Sequence, residues 1–389
     1  MEYVRNAEDI EKVVKHAKLD ISEFRPLTQT LYFASKDSEY RILELNDSLY
    51  DTLVVKGENL IFKGDHDEKA VICTSEATYD VKAAETSNSL LLIPGLKFSD
   101  NMECKGERDI EEKRIVNIFN EYLEVKKCKP RVHKLKHLLE ANPFTGLEEE
   151  TSLRSSYSTK ELLDCVQASE AELYEALREL DAFQLGGKWR ILGVEYHFRT
   201  LSYLLNLIDE NSWSTDMIPI GQTISMLKDL VPKVILDHIL QAYLVPSGMT
   251  DDEGDELFTL KQDKTCCFIG EYLLRPVQKF NSDDFMQAWA ESVPEGMNID
   301  LKQLEGIALF RSDQRPPVFT YFPESELPEN EVERFERLFT EKPSWNYNEI
   351  EPYVRKLATE KQTVNSLLTK HTRVSNINGV KVYSSRYRK

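Results

Sequence analysis

The closing stretch KQTVNSLLTKHTRVSNINGVKVYSSRYRK, residues 361–389, decides how this chain is read. It carries seven Lys or Arg (Lys361, Lys370, Arg373, Lys381, Arg386, Arg388 and Lys389) and no Asp or Glu. The whole chain sums to −18, which leaves −25 for the 360 residues before it. A concentrated positive end on an acidic body suits a polyanion, because cations that face phosphates release condensed counterions. Within the stretch, Val364, Leu367 and Leu368 recur at helical spacing. Asn378-Gly379 then separates two strand-like runs, 373–374 and 380–383. Both turn positions need φ > 0, so Asn-Gly here predicts a hairpin. Residues 329–339 and 347–357 add two amphipathic helices. Three helices followed by a hairpin predict a winged helix, with DNA contact from Lys361, Lys370, Arg373, Lys381, Arg386 and Arg388. The competing reading is an unstructured basic end that targets or solubilises the chain, which the order of helices and hairpin argues against.

At 389 residues the chain predicts two to four domains on a prior of about 150 residues each. A hydrophobic share of 41% with 10% aromatic is ordinary for a folded protein and points away from disorder. No apolar run approaches the length that spans a bilayer, and residues 1–20 read as a charged amphipathic segment, not a signal peptide. No membrane association is expected. Six cysteines (Cys73, Cys104, Cys128, Cys165, Cys266 and Cys267) are scattered without a CxxC pair, so a reducing compartment, cytosol or nucleus, fits best.

Residues 30–95 read as short strands at 31–33, 40–45, 60–63, 70–74, 78–81 and 90–93. They predict either an open β unit, whose edge templates a strand from another chain, or a small self-contained barrel. A second basic run, Lys126 to Lys136, precedes a helix over 131–140 and reads as a solvated face. Capping boxes at Ser158-Thr159-Lys160-Glu161 and Ser169-Glu170-Ala171-Glu172 open two more helices. A hairpin about Gly186-Gly187-Lys188 completes a winged helix whose third helix is acidic, which suits protein contact better than phosphate. Over 194–324, helices at 198–208, 220–230, 234–244, 265–274, 283–292 and 301–306 and strands at 257–260, 309–311 and 318–322 make one enlarged winged helix or two small ones. The reading is α+β, with domains at 1–95, 96–193, 194–324 and 325–389.

Catalytic chemistry is not indicated. No phosphate-binding GxxxxGK[ST] loop occurs, since Gly186-Gly187-Lys188 lacks both spacing and hydroxyl. His133 and His137 stand at i, i+4 without a third ligand. The acidic run 251–256 lacks an EF-hand pattern and reads as a solvated loop, and Asp65-His66-Asp67-Glu68 reads as a polar turn. The sequence therefore implies no enzyme, metal or cofactor.

Several segments resemble one family: Gly64-Asp65-His66-Asp67-Glu68-Lys69-Ala70-Val71, Thr78-Tyr79-Asp80-Val81-Lys82, Thr86 to Gly95, Gln167-Ala168-Ser169-Glu170, Gly187-Lys188-Trp189-Arg190-Ile191-Leu192, Ser292 to Met297, Leu367-Leu368-Thr369-Lys370 and Asn378 to Tyr383. In order, and over nearly the whole chain, these are similar to the sister chromatid cohesion protein Dcc family. The likeness is weakest at 1–30, 97–120, 145–157 and 245–256. It implies a non-catalytic, nuclear subunit of the alternative, cohesion-linked replication factor C clamp loader, which loads the sliding clamp at replication forks. The N-terminal β domain would complete a barrel with the large and small partner subunits. Tandem winged helices would bind single- and double-stranded DNA and the catalytic domain of DNA polymerase epsilon. Lys370, Arg373, Lys381 and Arg386 match the family's basic positions, and Tyr79, Leu90, Leu92 and Ile93 become partner-facing or core residues. Two readings compete with this one: a stand-alone winged-helix regulator of specific DNA sites, and an adaptor that binds only protein.

Overall fold

The computed structural model describes residues 6–20, 22, 24, 27–33, 39–98, 109–147, 156–359, 362–377 and 379–386. The chain divides into two compact units. The first holds residues 1–130 with 167–171, and the second holds 131–166 with 172–389.

The first unit opens with α1 (Ala7–His16), whose cap is reciprocal: Asn6 Oδ1 accepts from Asp9 N–H, and Asp9 Oδ2 accepts from Asn6 N–H. Then follow β1 (Leu27–Phe33), α2 (Asp47–Tyr50), β2 (Ile61–Lys63), β3 (Val71–Cys73), β4 (Thr78–Leu92), β5 (Asp109–Ile115) and β6 (Asn117–Lys127). An antiparallel sheet runs β2-β3-β4-β6, and β1 pairs with β5 in parallel. Leu49, Ile72, Ala77 and Tyr79 form its small core.

Three expectations change here. Runs 78–81 and 90–93 are one strand, because the polar stretch between them stays extended and the irregularity between Glu85 and Leu90 absorbs a shift of register. Residues 40–45 form no strand of their own; Leu43 makes a single parallel bridge to Leu123. The β unit also runs past residue 95, since β6 supplies the partner of β4 over Tyr79–Leu92.

The second unit repeats one order of elements. It begins with α3 (His133–Glu140), α4 (Thr159–Cys165), α5 (Glu170–Glu179), β7 (Phe183–Leu185) and β8 (Lys188–Arg190). Gly186 and Gly187, at φ +58° and +78°, make the two-residue turn that joins β7 to β8. Next come α6 (Val194–Glu210), β9 (Ile218–Pro219), α7 (Ile220–Leu227), α8 (Lys233–Tyr243), β10 (Leu244–Thr250) and β11 (Glu256–Leu260). The third group is α9 (Gln262–Val277), β12 (Lys279–Asn281), α10 (Ser282–Ser292), a 3-10 turn at Leu301–Leu304, β13 (Ala308–Arg311) and β14 (Val318–Tyr321). The last is α11 (Glu331–Glu341), β15 (Ser344–Asn346), α12 (Tyr347–Val354), α13 (Val364–His371), β16 (Thr372–Ile377) and β17 (Val380–Ser385).

Each of the last three groups reads helix, strand, helix, helix, strand, strand, and each closes a three-stranded sheet with its final strand in the centre: β10-β11-β9, β12-β14-β13 and β15-β17-β16. In the first group an isolated bridge from Tyr157 to Trp189 takes the place of the leading strand. Region 194–324 thus traces the order twice. Fully buried Trp289 and Trp345 anchor the third and fourth cores. Gly270 packs tightly beside Trp289: a Cβ there would stand 3.1 Å from the indole and 2.8 Å from Leu304 Cδ2.

Candidate nucleic-acid interface and docking strand

In the last group, Thr363 caps α13 by accepting from Ser366 N–H at 3.3 Å. Register pairs Ile377 with Val380, and Gly379 between them sits at φ +84°; Asn378 lies outside the described residues. Side chains alternate along a strand. Lys381 shares the parity of Tyr383, whose ring is buried, whereas Arg373 pairs with Ser384 and lies on the opposite face. The hairpin therefore separates two cations that the sequence places on one wing. It brings another pair together: Arg386 Nη1 donates to the Lys370 carbonyl oxygen at 3.0 Å. Lys361 and Arg388 lie outside the described residues.

The cations differ in how free they are. Lys370 Nζ is tied to Glu331 Oε2 at 2.7 Å, and the same oxygen takes His371 Nε2 at 3.1 Å. Among the described residues Arg373 and Lys381 hold no ion pair, and both are exposed. The frame behind them is rigid: buried Arg334 donates to Glu324 at 2.5 Å and to the Tyr353 carbonyl oxygen at 2.9 Å. Neither Glu331 nor Arg334 was singled out by the sequence, because their side-chain partners lie 10 to 40 residues away.

The docking candidates also separate. Tyr79 is a core residue at 4% exposure, whereas Leu90, Leu91 and Leu92 are 42%, 44% and 36% exposed; Ile93 is half-buried just past the strand. Alternation puts Leu90 and Leu92 on one face and Leu91 on the other, so both faces are uncovered. β3 pairs only with Thr78–Asp80, and among the described residues no strand covers that edge of β4 farther along. Leu91 was not among the residues that the sequence reading chose.

The remaining motifs resolve as structure. Asp255 of the acidic run accepts from Gly221 and Gln222 N–H at 2.9 and 3.0 Å, which caps α7, whose N-cap Pro219 offers no side-chain hydrogen bond. The His133 and His137 rings meet edge to face at 4.2 Å. Among the described residues no group of three His, Cys, Asp or Glu is placed to hold a metal, and no helix is long and apolar enough to cross a membrane.

Comparison with known proteins adds to this geometry. The family model for sister chromatid cohesion protein Dcc1 matches residues 40–354. The sister chromatid cohesion proteins DCC1 of Mus musculus and Homo sapiens are each 38% identical, over 98% of this chain and 97% and 98% of their own lengths. The probable sister chromatid cohesion protein DCC1 of Dictyostelium discoideum is 26% identical over 92% of this chain and 98% of its own.

Proposed function

The chain belongs to the sister chromatid cohesion protein Dcc1 family, and from that membership we propose a non-catalytic accessory subunit of the alternative, cohesion-linked replication factor C clamp loader. Its β unit docks the large and small subunits of that complex. Its four helix-and-strand groups are tandem winged helices that bind single- and double-stranded DNA and the catalytic domain of DNA polymerase epsilon. It works in the nucleus, where partner subunits hydrolyse ATP and handle the sliding clamp.

The observation that carries this reading is the open strand β4. Its leucines are exposed on both faces, and one backbone edge is uncovered among the described residues, which is the arrangement that strand addition from another chain completes. For the DNA half, exposed Arg373, Lys381 and Arg386 give cations without a base-reading surface. Thr369 Oγ1 donates to the Asn365 carbonyl oxygen at 2.8 Å, so this hydroxyl of α13 is turned to its own helix. That favours sequence-indifferent phosphate contact over a regulator of specific sites.

The test is co-expression of the full chain with the large and small clamp-loader subunits. Wild type copurifies, and Leu90→Asp combined with Leu92→Asp melts at the wild-type temperature but drops out of the complex. Undiminished copurification of that variant contradicts the docking role. For the DNA half, wild-type affinity falls steeply with salt, and Arg373→Ala, Lys381→Ala and Arg386→Ala together flatten the slope by about three ions.

A further inference from the structure

This inference deepens the DNA reading above and rests on it. Glu331, in the first turn of α11, uses one carboxylate oxygen to accept from both Lys370 Nζ (2.7 Å) and His371 Nε2 (3.1 Å). Arg386 stands alongside, held to the Lys370 carbonyl oxygen. Two donors that converge on one anionic oxygen, beside the Arg386 guanidinium, form the kind of seat in which a nucleic-acid phosphate oxygen is held.

The seat is partly rigid and partly loose. The His371 ring is 3% exposed and stacked on Phe335, with centroids 4.7 Å apart and planes 15° from parallel, so the direction of Nε2 is fixed. Because a carboxylate oxygen faces it, Nε2 is the ring's donor. The Lys370 side chain is 57% exposed and that of Glu331 30% exposed. A solvent-exposed pair of this sort is weak and exchanges readily. Burial pushes the Glu331 carboxyl up, but the hydrogen bonds from Lys370 and His371 outweigh it and hold the group below its ordinary range, so it stays anionic.

We propose that Glu331 is a built-in phosphate mimic: it occupies the Lys370–His371 seat in the free protein, and a DNA phosphate takes that seat by displacing it. Glu331 thereby limits DNA affinity and masks one cation from the salt dependence.

The test measures binding of the full chain to a labelled mixed-sequence duplex across a salt series. Glu331→Gln tightens binding by about two- to fivefold and steepens the salt slope by about one ion. Glu333→Gln, an equal charge change at an exposed position of the same helix, is the control and gives a smaller gain. Lys370→Ala weakens binding more in the Glu331→Gln background than in wild type. If Glu331→Gln gains no more than Glu333→Gln, the proposal is overturned and the DNA reading stands. If neither wild type nor variant binds duplex, the DNA reading falls and takes the proposal with it. Should Glu331→Gln melt early, the single variants decide: Lys370→Ala costs less affinity than Arg373→Ala, and an equal or larger cost contradicts the mimic.

Discussion

In the second unit Trp289 and Trp345 are fully buried, each in its own core, while in the first unit Leu90, Leu91 and Leu92 stand exposed along a single strand. The same chain thus treats large apolar residues in two ways. Helices that carry one apolar stripe meet each other and a small sheet, so the second unit buries its tryptophans in cores of its own, although single apolar residues such as Leu230 and Val374 stay exposed. A two-stranded ribbon has two faces to cover, and β4 with β6 covers neither at its leucine end. The contrast teaches that burial is unevenly shared between the two units: the largest fully buried side chains include the two tryptophans of the second, while the proposed docking role draws on the leucines left exposed in the first.

Substitutions sharpen this comparison. Trp289→Ala removes a fully buried indole that donates to the Cys266 carbonyl oxygen at 2.8 Å, and denaturant unfolding should show a loss of about 3–5 kcal/mol. Leu91→Ala should cost below about 0.5 kcal/mol, and similar losses at the two positions would erase the contrast. Arg334→Ala strands the Glu324 carboxylate, 10% exposed, with Lys356 as its remaining ionic partner; the expected loss is about 3 kcal/mol.

A pH series separates the units next. His197 meets Tyr243 Oη at 2.9 Å, and burial pushes it from 6.5 down to about 4. Burial lowers His238 as well. The unfolded chain takes up protons in that window that the folded chain refuses, so stability is full above pH 6.5 and falls as pH drops toward 4. Melting followed over the same window should be less pH-dependent in His197→Gln, and an unchanged slope would place the acid sensitivity elsewhere. Asn346→Ala, which removes the capping box of α12, should cost about 1 kcal/mol in thermal melting.

What the sequence revealed was local. Asn378-Gly379 marked the last hairpin because a two-residue loop fixes both its register and its chemistry, and Ser158 with Glu161 marked the start of α4 because a capping box is complete within four residues. What stayed hidden depends on distant partners. β5 and β6 carry many charges and become strands through pairing with β1 and β4, so their own pattern is weak. The polar stretch before Leu90 looks like a break; the strand runs on through it while its pairing with β6 shifts register between Glu85 and Leu90. Arg373 and Lys381 fall on opposite faces by a parity that only the register supplies, and Glu331 reaches Lys370 across 39 residues.

The most direct test of the account is amide hydrogen exchange on the full chain, alone and with the large and small clamp-loader subunits. The account predicts that amides of residues 83–92 exchange orders of magnitude faster than those of α9 and α10 in the free chain, and become protected in the complex. Equal protection of the two regions in the free chain, or no change at 83–92 on assembly, would contradict it.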